Sequence, residues 1–409
     1  MNRYCVIVFA WLMTLMAVAQ DVKDVLRSEG FENICVTQLG TVVYASLEDP
    51  AYRGTFRGLG VALQKLAESY PDCGQFELVV EEYKTPKVAI HALKTNGIWT
   101  VDVDYEIAPI KNVLNAQKGA DGKKVKPVNS SIGKIDVTFN PLVSLDNHRF
   151  DKMYEVAFSI APTVETTLWK GNRINIQPII PIYTDLEKGD YSRDFQWGST
   201  NIQQDFIFGG KWYGTLSAGT FRSLRMGVNV DFGYRVLPSL SVGVRANWTV
   251  NSYFADNKWY VANHDIKGRR SETSALLKAD YYERTTSLQV QLTAGCFLYG
   301  DWGARLDCSR HFGEYVVGLY GVLTGGEHNA GFHFAIPVRG KRNRQAAPVR
   351  FNLPEYYDLQ YSMVSYYEYA DEKMGSELEV RPIENRALQY WQADYIKRNL
   401  QKFLDGTLE

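Results

Sequence analysis

The sequence lacks the features that mark a helical membrane protein or a nucleic-acid-binding protein. After residue 19 it has no run of about 18 consecutive apolar residues, which excludes a bundle of membrane-spanning helices. Charge of one sign is also lacking, because 45 basic residues stand against 46 acidic ones. No basic stripe therefore predicts a nucleic-acid partner. Cysteine is scarce, with five residues in 409.

The sequence also lacks the common catalytic and cofactor-binding motifs. It contains no HExxH, CxxC, GxSxG or P-loop pattern, and the Gly-Leu-Gly sequence at residues 58–60 lacks the rest of a dinucleotide fingerprint. His328 and His333 flank a predicted strand, but no third residue completes a metal site with them. We therefore expect no cofactor, no bound metal and no enzymatic activity.

The first nineteen residues have the pattern of a cleavable signal peptide. Arg3 provides a short basic region, residues 6–16 are apolar apart from one Thr, and the Ala-Val-Ala sequence that ends at residue 19 matches a cleavage site. The apolar run is too short for a membrane anchor. We expect cleavage before Gln20, and no lipid anchor there, because Cys5 lies far from the cleavage point.

Residues 132–338 alternate between apolar and polar side chains over strands of about ten residues. The clearest case is residues 226–250, a hairpin that turns at residues 237–239. One face of its first strand carries Met226, Val228, Val230, Phe232 and Tyr234, and the other carries Gly227, Asn229, Asp231, Gly233 and Arg235. A strand with one face in hydrocarbon and one in water needs this period of two. The 26 Tyr and nine Trp also fit the aromatic girdles of such a barrel.

We therefore predict a mainly β protein built around an antiparallel transmembrane β-barrel. About twelve strands are recognisable, and the preference of such barrels for even numbers agrees with that count. Long polar stretches at residues 184–204 and 251–274 are expected to be extracellular loops, and short turns such as residues 237–239 are expected to face the periplasm.

The alternation also selects the side chains that should point into the barrel lumen. These candidates are Asn229, Asp231, Arg235, Arg245, Asn247, Gln289, Gln291, Arg305 and Asp307. In a narrow barrel, such mixed charges would pair across the lumen and fill it. In a wider barrel they would stay hydrated and could hydrogen-bond to sugar hydroxyls. The sequence leaves both possibilities open.

Asp307, Ser309 and His311 fall on one face of a single predicted strand, which leaves a membrane-embedded hydrolase as an alternative. A nucleophile, its base and an orienting acid need a convergent geometry that spacing alone does not provide. Polarity at the lumen or rim explains these residues more simply.

Residues 20–108 predict a small α/β domain in the periplasm. A short first helix should end at Gly30, and Phe56, Leu59, Leu63 and Leu66 recur at the spacing of an amphipathic helix. Strands alternate around these helices. Residues 109–131 contain several lysines and two glycines without any period, so we expect a solvated linker.

Residues 339–409 form the predicted tail. We expect the barrel to close at residues 331–338, with Phe332, Phe334 and Ile336 facing lipid and His333 and Ala335 facing inward. The tail would then return to the periplasm, and residues 386–404 predict an amphipathic helix. Docking of this helix on the N-terminal domain or the barrel mouth is the simpler interpretation, and a plug or partner contact is the other.

Four cysteines follow the predicted cleavage site. An oxidising compartment permits pairing but does not require it. Cys35 and Cys73 are not expected to be bridged. A three-residue loop at residues 301–303 would place Cys296 opposite Cys308, close enough for a cross-strand disulfide, although two free apolar thiols facing lipid are the preferred interpretation.

Specific segments of the sequence resemble the YjbH-type exopolysaccharide proteins. The resemblance rests on Gly-Asp-Trp-Gly-Ala at residues 300–304, the continuation through residue 324, and Gly-Phe-His-Phe-Ala-Ile-Pro at residues 331–337. Asn-Pro-Leu at residues 140–142 agrees with it. The N-terminal domain, with Pro-Ala-Tyr-Arg at residues 50–53, is similar to the soluble domains of that family.

The resemblance implies an outer-membrane barrel that takes part in producing or exporting an extracellular polysaccharide, beside periplasmic and lipoprotein partners. It supplies no catalytic residues. This chain departs from typical relatives in having one barrel-length region and no lipidation motif. Two other classes of function remain open on the residues alone, a general diffusion porin or structural outer-membrane protein, and the hydrolase.

Overall fold

The computed structural model describes residues 21–52, 55–117, 126–146, 155–186, 193–222, 224–262, 273–338, 347–363, 373–382 and 391–408. The predicted signal peptide lies outside these residues. They contain four helices and 22 strands, and the protein is mainly β. No described helix is both long and apolar enough to span a bilayer.

The N-terminal domain is a five-stranded sheet with helices on both faces. Its strands are β1 (Glu32–Leu39), β2 (Val42–Glu48), β3 (Gln75–Glu82), β4 (Thr85–Thr95) and β5 (Ile98–Asp104), and its helices are α1 (Val22–Glu29), α2 (Phe56–Ser69) and α3 (Ala108–Ala116). The strands follow each other in sequence order across the sheet. Only β2 and β3 run parallel, because α2 crosses between them, as a parallel connection requires.

Local sequence signals set the bounds of the first two helices. Asp21 accepts a hydrogen bond from the Lys23 amide at 3.1 Å, and Gly30 ends α1 in the left-handed conformation at φ 103°. The helix α2 ends before Pro71, which cannot continue it. Both helices bury their apolar face against one side of the sheet.

The predicted linker at residues 109–131 is partly wrong. Its first part is the helix α3, which packs Ile110 and Leu114 against Val79 and Ala89 on the second face of the sheet. The sequence pattern did not reveal this helix, because only two of its nine residues are buried and its apolar spacing is therefore weak. Further along, Asn129 donates a hydrogen bond to the Phe31 carbonyl at 2.7 Å, so this stretch belongs to the domain.

The remaining strands form a second sheet. They are β6 (Ile135–Asp146), β7 (Glu155–Thr166), β8 (Asn172–Ile176), β9 (Pro178–Thr184), β10 (Gln196–Trp197), β11 (Asn201–Phe208), β12 (Trp212–Phe221), β13 (Arg225–Leu237), β14 (Leu240–Ala255), β15 (Lys258–Ala262), β16 (Thr273–Glu283), β17 (Leu288–Cys296), β18 (Trp302–Phe312), β19 (Tyr315–Thr324), β20 (Glu327–Pro337), β21 (Val349–Asn352) and β22 (Tyr356–Met363). Their pairing order returns to its start, so the sheet is a closed barrel.

These 17 segments exceed the predicted number of about twelve because several wall strands are interrupted. The short strands β8 and β9 both pair with β7, and β15 and β16 both pair with β14. The ring closes where β21 pairs with β6 in parallel. In a closed barrel with an even number of strands whose directions alternate, every neighbouring pair is antiparallel. Because β21 and β6 are parallel, the expectation of an even number is wrong.

The predicted end of the barrel at residue 338 is also wrong. Strand β22 pairs with β20 from Pro337↔Tyr356 to Ala330↔Met363, and β21 pairs with β6. The tail therefore supplies the strands that close the wall. The orientation of β20 agrees with the expectation, since Phe332 and Ile336 are exposed whereas His333 and Ala335 are buried. The four-residue β21 and the Tyr-rich β22 lack a clear apolar alternation, which is why the sequence pattern stopped too early.

The C-terminal helix α4 (Ala393–Leu404) docks on the N-terminal domain, in agreement with the simpler interpretation of the tail. It begins later than the predicted residue 386, and residues 383–390 lie outside the described part. Tyr395, Ile396 and Leu400 join the core of the domain. The Gln401 side chain accepts from the Val101 amide at 2.9 Å and donates to the Trp99 carbonyl at 2.8 Å, so it caps the edge of β5.

The outer surface of the barrel is apolar. Strand β19 alternates exposed and buried residues at every position, and its Leu319 and Leu323 are 67% and 61% exposed. Among the described residues before residue 132, only Leu39, Leu93 and Ile98 are large apolar side chains with comparable exposure. The apolar surface is therefore concentrated on the barrel.

The four described cysteines are free thiols. The register excludes the cross-strand pair considered for Cys296 and Cys308, because Cys296 lies opposite Trp302 and Cys308 lies opposite Val290. The turn between β17 and β18 spans residues 297–301, rather than the three residues 301–303 on which the expectation was based.

Arg350 on β21 joins three parts of the chain. Its guanidinium binds Asp136 on β6 and Glu32 on β1, and the side chain is only 7% exposed. Removing a partner from a buried ion pair commonly costs roughly 3 to 5 kcal/mol. We expect Arg350→Ala to lower the free energy of unfolding by about that amount, measured by urea titration of the purified protein.

Arg350→Lys should give an intermediate loss, because one ammonium group cannot reproduce the bidentate pair with Asp136. Arg27→Ala, on the exposed side of α1, serves as the matched control and should leave the titration unchanged. A midpoint for Arg350→Ala equal to that of the unchanged protein would contradict this role in closure.

Candidate functional site

The barrel interior contains a cavity of about 560 Å³, which we call the chamber. Three parts of the chain surround it. The N-terminal domain faces it with Glu82, Tyr83, Lys87 and Tyr105, the wall supplies side chains from many strands, and the tail contributes residues on both sides of the undescribed stretch 383–390. We call the barrel end at the N-terminal domain the near mouth, and the opposite end the far mouth.

Ion pairs and stacked rings fasten the N-terminal domain to the near mouth. The Lys87 ammonium lies 2.6 Å from an Asp205 carboxylate oxygen on β11 and 3.1 Å from Glu82. Arg173 on β8 donates to the Tyr83 hydroxyl at 3.0 Å and lies over its ring. Because these groups are mostly buried, the domain is attached by specific contacts.

Arg235, one of the predicted lumen residues, lies at this attachment. Its guanidinium stacks on the Tyr105 ring at 4.1 Å and on the Tyr213 ring at 5.3 Å. It donates to the carbonyls of Lys87 at 2.8 Å and Gly210 at 2.9 Å. The residue faces inward as its strand position required, but it contacts the neighbouring domain rather than an open lumen.

The next predicted residues pair with each other across strands β13 and β14. Asp231 and Arg245 are direct cross-strand neighbours, and their carboxylate and guanidinium lie 2.6 Å apart. Asn229 donates to Asp231 at 2.8 Å, and Asn247 donates to the Ser274 hydroxyl at 2.5 Å. All four side chains lie on the inner face of the wall, where Asp231, Arg245 and Asn229 form one cluster and Asn247 binds the next strand through Ser274.

Asp280 on β16 links Gln289 and Gln291. Both amides donate to the same carboxylate oxygen, at 2.7 and 2.5 Å. His311 Nε2 lies 2.7 Å from the side-chain oxygen Oε1 of Gln289, and the ring packs against the Tyr395 ring of α4 at 5.2 Å. The two glutamines therefore belong to a connected polar layer that reaches the tail helix.

Arg305 and Asp307 belong to a third cluster. Their charged groups lie 3.2 Å apart, and the Arg305 guanidinium stacks on the Tyr320 ring at 3.7 Å. Asp307 also accepts from Ser309 at 2.8 Å and lies 2.9 Å from His333 Nε2. All nine predicted residues thus lie on the inner side of the wall, and six of them line the chamber: Asp231, Arg235, Arg245, Gln291, Arg305 and Asp307.

The same cluster has the composition of a hydrolytic triad but not its geometry. Ser309 and Asp307 both approach Nε2 of His333, at 3.3 and 2.9 Å. A proton relay needs the acid on one ring nitrogen and the nucleophile on the other. Ser309 instead donates to Asp307 directly, so this arrangement is a hydrogen-bonded cluster. His311, the base considered from the sequence, binds Gln289.

Residues 373–382, which we call the lumen segment, were not recognised from the sequence. At the far mouth, the Ser376 carbonyl of this segment accepts a hydrogen bond from the Leu298 amide at 2.9 Å. At mid-barrel, Gln203 reaches the Val380 carbonyl at 3.3 Å, and Gln177 reaches the Pro382 carbonyl at 3.2 Å.

Side chains of the lumen segment strengthen this attachment. Glu377 lies 2.7 Å from the Lys278 ammonium, and Leu378 packs with Phe221 and Leu298. Nothing in the composition of the segment distinguishes it from an exposed linker. The only signal in the sequence is the short alternation of Leu378 and Val380 between charged residues.

One buried carboxylate beside the chamber has a shifted pKa. Burial of Glu48 raises its pKa from 4.5 to about 7, although the amides of Tyr83 and Lys84 donate to it and oppose the shift. Its side chain also binds Asn33 and Ser131. Glu48 therefore sits between the first domain and the chain that leads into β6.

No group of three His, Cys, Asp or Glu residues in the described part of the chain is arranged to hold a metal ion. The chamber is instead lined by amides, hydroxyls, rings and paired charges. Such a surface can bind hydroxyl-bearing molecules or water through hydrogen bonds.

The shift of Glu48 predicts a pH-dependent stability. Between pH 4.5 and about 7, the folded chain keeps a proton that the unfolded chain loses, so stability falls as the pH rises through this range. We expect a loss of roughly 3 kcal/mol at most. Glu48→Gln should flatten this part of the profile, measured by thermal unfolding between pH 4 and 8.

Glu106→Gln, at an exposed position of the same domain, is the matched control and should keep the slope of the unchanged protein. If Glu48→Gln keeps that slope as well, Glu48 is not the group responsible.

Comparison with known families gives one match. The family model described as YjbH, "Exopolysaccharide biosynthesis protein YbjH", matches residues 13–338. No curated protein and no solved structure gives a significant match. The match extends over the N-terminal domain and the barrel through β20, whereas β21, β22, the lumen segment and α4 lie beyond it. Because it covers well over half of the chain, the protein belongs to the YjbH family of exopolysaccharide biosynthesis proteins.

Proposed function

We propose that this protein is an outer-membrane β-barrel, exported by a cleavable signal peptide, that takes part without enzymatic activity in the assembly or secretion of an exopolysaccharide. Its family relates it to exopolysaccharide biosynthesis. The observation that carries the membrane part of the proposal is the division of the barrel wall into an apolar outer face and a polar inner face.

The orientation of the barrel is part of the proposal. Short turns at residues 238–239 and 313–314 lie at the near mouth, where the N-terminal domain and α4 contact them. Short turns are typical of the periplasmic side of outer-membrane barrels. We therefore assign the near mouth and the N-terminal domain to the periplasm, where they are available to periplasmic or lipoprotein export partners.

The tail disfavours a general diffusion porin. A porin needs an open aqueous lumen. Here the lumen segment lies inside the far half of the barrel, and the N-terminal domain is fastened to the near mouth by buried contacts such as Lys87 with Asp205. The proposal is therefore a barrel with a closed resting state, whose partners or polymer would have to displace one of these parts.

A hydrolase is disfavoured by the cluster around Asp307. Ser309 is only 1% exposed and donates to Asp307, and both residues share one nitrogen of His333. A nucleophile in that position lacks both a separate base and access to a lipid or glycan. We propose a structural role for these residues in the polar layer.

Deletion of the gene is expected to reduce the surface exopolysaccharide while leaving the uptake of small solutes unchanged. Polymer would be measured by sugar analysis of the washed cell surface, and restoration by the Ser309→Ala variant would separate an assembly role from hydrolysis. The protein itself should fractionate with outer-membrane markers and migrate in a heat-modifiable way on gels. Recovery in the soluble periplasm, or normal polymer in the deletion strain, would contradict the proposal.

The closed state predicts low conductance. In planar lipid bilayers the unchanged protein should conduct weakly. Leu378→Asp should raise the conductance several-fold, because it places a charge in the apolar cluster that holds the lumen segment.

Leu39→Asp introduces the same charge at an exposed position of the N-terminal domain and should not alter the conductance. A high conductance of the unchanged protein would support the porin instead.

A further inference from the structure

We propose that the chamber binds a segment of uncharged saccharide. This inference rests on the proposed role in exopolysaccharide assembly or secretion and specifies the class of polymer. Its starting point is the cavity of about 560 Å³, a volume within the usual range of small-molecule sites, about 300 to 1,000 Å³.

The charges that line the chamber argue against an acidic polymer. Thirteen Asp or Glu residues and nine Lys or Arg residues line it, so its net charge would repel a polyanion. Several of the cations are also paired with acidic side chains. Lys278 pairs with Glu377 at 2.7 Å, and Arg245 pairs with Asp231 at 2.6 Å.

The same pairing limits the carboxylates. Asp205 pairs with Lys87, Asp307 with Arg305, and the Asp136 carboxylate with Arg350. Binding a cationic sugar would require one of these buried pairs to open, which leaves the protein cation without its partner. The groups that remain for a ligand include amides, hydroxyls, ring faces and the Nε–H of Arg173, and these suit sugar hydroxyls and the apolar faces of pyranose rings.

Three lining side chains retain a polar atom without a hydrogen-bond partner in the described structure. These atoms are Asn140 Oδ1, Arg173 Nε and Gln392 Nε2, and each residue is at most 7% exposed. Buried polar groups are normally satisfied by protein, water or ligand. The three atoms are two donors and one acceptor. A hydroxyl group can accept from the donors and donate to the acceptor, so these atoms suit a sugar.

The two donors lie on different parts of the chain. Arg173 belongs to the wall and is held by Tyr83 of the N-terminal domain at 3.0 Å. Gln392 precedes α4, and its side-chain oxygen Oε1 accepts from the Tyr395 amide at 2.7 Å. A saccharide in the chamber would therefore contact the wall and the tail together, next to Trp391.

Binding would be tested with the purified full-length protein in detergent, by saturation-transfer NMR and calorimetry. The probes are neutral oligosaccharides of glucose, galactose and mannose, an acidic oligogalacturonate and a basic chitosan oligomer. At least one neutral probe should bind, and more tightly than either charged probe. No binding of any neutral probe, or tighter binding of a charged one, would overturn the inference.

Gln392→Glu keeps the oxygen that caps α4 and removes the free donor, and Arg173→Lys removes Nε while keeping the charge. Each change should weaken neutral-probe binding about fivefold, the usual value of one hydrogen bond. Gln64→Glu and Arg27→Lys, outside the chamber, are the matched controls and should bind normally.

Equal binding by all four variants would place the saccharide elsewhere. If the deletion strain loses its polysaccharide although no neutral probe binds, the export role stands and the chamber inference fails. If the deletion strain keeps normal polymer although a neutral probe binds in the chamber, the export role fails and the chamber inference stands.

Discussion

The closure of the barrel is the constraint on which the rest of the structure depends. An open sheet leaves a row of unpaired peptide groups at each edge, and closing the wall removes both edges. The closing pair joins residues about two hundred positions apart, with Arg350 and its partner Asp136 separated by 214 residues. The guanidinium also binds Glu32, so the contact that closes the barrel fixes the N-terminal domain at the same place.

The polarity of the lumen follows from the same closure. Once the outer face of each strand is apolar, the alternating residues must lie inside, and a ring of this size brings charges of both signs within contact distance. Asp231 with Arg245 and Asp307 with Arg305 satisfy each other within the wall. The interior is therefore polar, and these charges are paired within the wall.

The tail lies beyond the family match and contacts both the barrel and the N-terminal domain. It completes the wall with β21 and β22, places the lumen segment against Gln177 and Gln203, and docks α4 in the core of the N-terminal domain. A displacement of the N-terminal domain would consequently act on α4 and on the chain leading to the lumen segment. The barrel and the N-terminal domain are thus joined through the tail as well as through their direct contacts.

The sequence by itself determined which side chains face inward, because the period of a strand is local and does not depend on its partners. All nine lumen candidates, from Asn229 to Asp307, lie on the inner face for this reason, and the amphipathic α2 and the docked α4 were recognisable from their own spacing. Only the tertiary structure decided the parallel closure through β21, the helix α3 within the Lys-rich stretch and the path of residues 373–382. These features depend on contacts between distant residues, such as Arg350 with Glu32 and Leu378 with Phe221. The segments involved are short, and they contain too few periodic residues for the sequence to predict such contacts.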